Sequence, residues 1–165
     1  MIQEDPRNNS AWNQRWYVCH RGGSVPVLSL EVAKREGDYA INEGAHLDPY
    51  NESPWRYLIG ILKEQYRAVT TTTTTGISDE TKTIMALLDE YEEKACQQRQ
   101  VIEKAGKDPN GCSSLTSARI DILEFKGDRA SLEKAMELAS GLATEHDPIR
   151  RKYWLLRVDE MKQKQ

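Results

Sequence analysis

The sequence has too few cysteines, at the wrong spacings, for a disulfide framework or a zinc ribbon. Cys19, Cys96 and Cys112 are odd in number, and none stands in C-x-x-C spacing. No apolar run approaches the roughly 20 residues that cross a bilayer. The opening Met1-Ile2-Gln3-Glu4-Asp5-Pro6 lacks the basic and apolar regions of a secretory signal. A reducing, cytoplasmic setting is therefore expected. The net charge of −3 excludes a broadly basic surface and argues against non-specific nucleic-acid binding. The cluster Arg150-Arg151-Lys152 reads as a solvated helix face. There is no His-x-x-x-His, Glu-x-x-His or Cys/His cluster to suggest a metal site. No glycine-rich phosphate loop follows a strand, and Arg21-Gly22-Gly23-Ser24 reads as a connection between helices. No β-branched alternation persists long enough to be a strand.

What remains is polar but foldable. The apolar fraction is 38% and the charged fraction 30%, yet Trp, Leu and Ile are too frequent for general disorder. That balance suits thin helical layers, in which each helix buries one stripe.

The chain also repeats itself. Asp5-Pro6, Asp48-Pro49 and Asp147-Pro148 are each followed by a tryptophan six residues after the proline: Trp12, Trp55 and Trp154. A fourth copy, Asp108-Pro109, places Leu115 in the tryptophan slot. The prolines are 43, 60 and 39 residues apart. This predicts helical hairpins. The residue before proline is pushed out of the α region and ends a helix. Ser10 and Ser53 are the expected N-caps, with Pro54 at a first helical position. Asn8, Asn13 and Asn51 are expected in caps and turn bonds. The tryptophan then enters the core in the first turn of the next helix.

Helical spacing fills the intervals. Trp12, Trp16 and Cys19 share a face, as do Trp55, Leu58, Ile59, Leu62 and Tyr66. Leu132, Ala135, Met136, Ala139, Leu142 and Ala143 form the clearest stripe. Seven helices are predicted over about 10–20, 29–47, 54–67, 79–105, 114–126, 130–146 and 148–163. The fold class is all-α, a superhelical stack of antiparallel helical hairpins. Residues 1–165 form a single array, interrupted by a flexible threonine-rich insertion at about 69–78. Cys19 reads as a small core residue and Cys112 as an exposed turn residue. His20, His46 and His146 fall near helix ends, where the dipole favours them. Arg15 recurs as Arg157, and each could pair within the repeats or with a partner.

The segment Asn8-Asn9-Ser10-Ala11-Trp12-Asn13-Gln14-Arg15 resembles the repeat motif of protein prenyltransferase α subunits. Its wording is most similar to the α subunit shared by farnesyltransferase and type I geranylgeranyltransferase. Asn51-Glu52-Ser53-Pro54-Trp55-Arg56-Tyr57-Leu58 resembles the next repeat of that subunit, and the segment around Trp154 its last. The likeness is to the C-terminal portion. It implies a helical crescent wrapped around a β subunit that holds zinc, with magnesium as a further candidate, outside this chain. It implies farnesyl or geranylgeranyl transfer from the isoprenoid diphosphate to the cysteine of Cys-a-a-X proteins. The family's lysine and Tyr-His pair near the diphosphate have no counterparts here, where Arg7, Asn9 and Ser10 stand in those slots. No catalytic residue is carried over, and the chain alone is expected to be inactive. The chain is expected to begin after the repeats that reach the active site, as a fragment or a truncation. Asn8, Trp12, Arg15, Asn51, Trp55 and Trp154 are the repeat's structural residues. Asn13, Arg15 and Tyr57 are candidates for the β-subunit interface. The alternatives are the α subunit of the Rab-specific enzyme and a tetratricopeptide-like adaptor with no catalytic partner.

Overall fold

The structure, a computed structural model, describes residues 2, 4–21, 27–72 and 78–164. Among them there are seven α-helices and no strand: α1 (Asn9–His20), α2 (Leu30–Ala40), α3 (Glu52–Thr72), α4 (Asp79–Lys104), α5 (Ser113–Lys126), α6 (Arg129–Gly141) and α7 (Arg151–Gln163). The all-α hairpin fold read from the sequence is the fold observed. Two compact units divide the chain, residues 1–90 and 91–165.

In the first unit α3 packs against α2 and α1. Its core holds Trp12, Ala33, Ala40, Trp55, Leu58, Ile61 and Leu62. The indole of Trp12 donates to the Pro6 carbonyl at 2.8 Å, and that of Trp55 to the Pro49 carbonyl at 2.9 Å. This explains the six-residue spacing. The Asp-Pro turn carries the acceptor that a buried indole N–H requires. The Asn51 side-chain amide donates to the same Pro6 carbonyl at 2.6 Å, stitching one repeat to the next.

In the second unit α6 packs against both α5 and α7. The stripe Leu132, Ala135, Ala139, Leu142 and Ala143 meets Ile120, Leu123, Trp154, Val158 and Met161. Leu115 is buried, as expected of a residue in the tryptophan slot. Gly127 ends α5 at φ 70°, and Asp128 at once caps α6 by accepting from the Ser131 N–H at 3.0 Å. A left-handed glycine and an N-cap aspartate make this two-residue link possible. The indole of Trp154 departs from the earlier pattern and donates to the Asp147 carboxylate at 2.8 Å.

Four local expectations are corrected. The N-cap of α1 is Asn8, whose side chain accepts from the Ala11 N–H, and Asn51 accepts from the Ser53 N–H at 3.1 Å. Ser10 and Ser53 lie inside their helices, because an asparagine two positions earlier has already taken a free N–H group of the first turn. Pro54 is accordingly the third residue of α3, where its missing N–H still costs no helical bond. Helix α3 runs on to Thr72. The hydroxyls of Thr70 and Thr71 donate to the carbonyls of Tyr66 and Arg67 at 3.0 and 2.7 Å, so these polar groups find acceptors on the helix itself while its backbone runs on through them. The rest of the threonine tract, from residue 73 to Gly76, lies outside the described residues, as do residues 22–26 of the first connection. Cys112 is buried rather than exposed.

Both α2 and α6 end in one widened turn. The His46 N–H donates to Ile41 and the Asp147 N–H to Leu142, each at 2.8 Å across five residues.

Candidate functional site

The polar centre of the first unit is one carboxylate. Glu36 is 1% exposed. From α1, Arg15 closes on it with Nε 2.6 Å from Oε2 and Nη2 3.0 Å from Oε1. From α3, the Tyr57 hydroxyl donates to Oε2 at 2.8 Å. Arg35 approaches Oε1 at 3.2 Å. The Arg15 guanidinium also stacks 3.4 Å from the Tyr39 ring centre. Three helices thus meet on one buried charge, and the planar fork of arginine suits the task.

The electrostatics follow from this contact. Burial alone would raise the Glu36 carboxyl, but hydrogen bonds from Arg15 and Tyr57 outweigh it and hold it below the ordinary glutamate value. Burial works against the charge of Arg15, and Glu36 more than offsets it. The Tyr57 hydroxyl is pushed up by burial and by Glu36. The Cys19 thiol is also raised, by burial first and then by Glu36, so it is no thiolate nucleophile.

The second unit repeats the device. Arg157 on α7 reaches Asp121 at 2.7 Å and Glu124 at 3.0 Å on α5. Arg119, one turn after Leu115, forms a buried pair with Glu92 at 2.7 Å. Arg119 was not singled out from the sequence. It lies four residues after the slot residue instead of three, and its partner is 27 residues away.

Asn8, Trp12, Asn51, Trp55 and Trp154 serve the repeat itself, as caps and buried anchors. Among the interface candidates, Arg15 and Tyr57 converge on Glu36, whereas Asn13 is exposed. Asn13 and Tyr57 line a cleft of about 310 Å³ between α1 and α3, with Trp16, Arg56 and Gly60. A Cβ on Gly60 would stand 2.9 Å from the Trp16 ring, so the glycine lets the indole lie against α3. Trp16 stacks on His20, whose ring nitrogens lie 2.7 Å from the Trp16 carbonyl and 3.0 Å from Glu64. Among the described residues no group of three or more His, Cys, Asp and Glu is placed to hold a metal ion. The donor set here does not fit zinc.

A family model described as "Protein prenyltransferase alpha subunit repeat" matches residues 1–22, the stretch that carries Asn8, Trp12 and Arg15. A Dictyostelium discoideum protein named "Protein farnesyltransferase/geranylgeranyltransferase type-1 subunit alpha" is 30% identical over 154 residues, which is 93% of this chain. The chain carries the repeat of protein prenyltransferase α subunits and is similar to such a subunit along most of its own length. A Pisum sativum protein of the same name is 44% identical over 66 residues, or 39% of this chain. The matched region spans 40% of the Dictyostelium relative and 19% of the Pisum one. For a prenyltransferase α-subunit repeat, the arginine three residues after the tryptophan here has a defined task. It ties its helix to a carboxylate on another helix of the same unit. No helix among the described residues is long and apolar enough to cross a membrane.

Proposed function

We propose that this chain is part of the α subunit of a heterodimeric protein prenyltransferase, in which it serves as scaffold and not as catalyst. The observation that carries the reading is the Arg15–Glu36–Tyr57 centre beneath a repeat whose relatives are named as α subunits. Its charges are spent on one another inside the repeat, which is the behaviour of a positioning element. In this reading a β subunit supplies zinc and the substrate pockets. Together the subunits move a farnesyl or geranylgeranyl group from its diphosphate to the cysteine of a Cys-a-a-X protein in the cytoplasm. Asn13, exposed where it lines the cleft, is the candidate we retain for direct contact with the β subunit. Arg15 and Tyr57 act behind it, by holding α1, α2 and α3 in register.

The test is co-expression with farnesyltransferase and type I geranylgeranyltransferase β subunits, followed by affinity capture. Stoichiometric capture of either β subunit is expected, and the captured subunit identifies the isoprenoid. The purified chain alone is expected to transfer no prenyl group. Failure to capture either β subunit, or zinc-dependent turnover by the chain alone, overturns the proposal.

A further inference from the structure

Helix α7 buries one side and leaves the other bare. Trp154, Arg157, Val158 and Met161 face inward. Lys152, Leu156 and Glu160 stand at i, i+4 and i+8 on the opposite side, and all three are exposed. Leu156 is 57% exposed, and Ile149 in the turn leading into the helix is 97% exposed. The charge order is unfavourable for a lone helix. Arg151 and Lys152 sit at its positive end with no acidic residue in the first turn. Arg150 is answered by Asp147 at 2.5 Å. Lys152 and Glu160 make no ion pair with the described residues. They are about 12 Å apart along the helix, too far to meet each other.

The face therefore reads cation, apolar centre, anion, and such an order is complementary to itself when reversed. We propose that this face is a self-association surface whose partner is α7 of a second copy of this chain, packed antiparallel about a twofold axis at Leu156. That register sets each Lys152 against the other copy's Glu160 and brings the two Leu156 side chains together, an isologous contact. An anionic membrane fits less well, because Asp159 and Glu160 share the exposed side with Leu156 and would be repelled by it. One helix face is small beside the roughly 800 Å² per partner of a standard interface. The association is consequently weak and concentration-dependent. It uses none of the residues that line the cleft between α1 and α3 and does not depend on the prenyltransferase reading.

Sedimentation equilibrium of the purified chain over a wide concentration range, at low salt, tests it. A monomer–dimer equilibrium is expected for the natural sequence. Leu156→Asp should raise the dissociation constant at least tenfold. Lys152→Glu and Glu160→Lys should each weaken the dimer by bringing like charges together. The double variant should restore it, because the exchanged charges again meet their opposites. Equal far-UV circular dichroism across the set separates loss of contact from loss of fold. A monomer at every concentration overturns the proposal. So does a dimer indifferent to Leu156→Asp, or one that the double exchange does not restore.

Discussion

The guanidinium of Arg15 grips the carboxylate of Glu36 at both oxygens, at 2.6 and 3.0 Å, across a separation of 21 residues. One is on α1 and the other on α2, and the Tyr57 hydroxyl of α3 completes the contact. A buried carboxylate with these partners is tolerated; one without them is not.

Arg15→Ala should therefore destabilise the first unit by about 2–4 kcal/mol. This is somewhat under the usual figure for a broken buried pair, because Arg35 still reaches Glu36. Denaturant unfolding followed by tryptophan fluorescence reports the first unit chiefly, since Trp12, Trp16 and Trp55 lie there. A loss below about 0.5 kcal/mol would mean the pair does not form in solution.

The same contact predicts a pH dependence. Burial opposes the Glu36 charge, yet Arg15 and Tyr57 hold its folded pKa below the unfolded value. A group shifted down contributes stability above its unfolded pKa, near 4.3 for glutamate, and loses it as pH falls through the folded pKa. The urea midpoint should fall on acidification below about pH 4.5. In Glu36→Gln that component should be missing, so the two curves converge at low pH. Parallel curves would refute the assignment.

Trp55→Ala should cost roughly 3–5 kcal/mol, the usual range for an aromatic truncated in a core. Trp55 is 1% exposed, and its loss also strands the Pro49 carbonyl. A change below about 1 kcal/mol in the unfolding free energy would contradict its place in the core.

Gly44→Ala and Gly60→Ala should differ although both gain one methyl group. At Gly44 the new Cβ would stand 2.6 Å from Pro54 Cβ and 2.8 Å from the ring of the buried Trp12. Neither can withdraw, so about 1–3 kcal/mol or more is expected from overpacking. At Gly60 the obstacle is Trp16, which is only half-buried and can swing aside. Thermal unfolding of the two variants side by side checks the order, with Gly44→Ala melting lower.

The helices and their repeat were legible in the sequence because their causes are local. Asp-Pro punctuation, tryptophan six residues on and apolar stripes at helical spacing all act within a few residues of chain. They set seven helices close to where they are observed, with Trp12, Trp55 and Trp154 inside. The likeness of Asn8 through Arg15 to a known repeat was readable for the same reason.

What the sequence left open was decided by distance in space. Whether Arg15 pairs within the chain depended on α2 bringing Glu36 beneath it, and no spacing rule links those two positions. Arg119 escaped notice because its partner Glu92 lies on α4, a separate helix. The burial of Cys112, the continuation of α3 through Thr72 and the widened turns ending α2 and α6 were equally hidden. Local propensity weighs a residue against its neighbours along the chain. Burial and ion pairing weigh it against whatever the packed helices bring alongside, and that is settled only when they have packed.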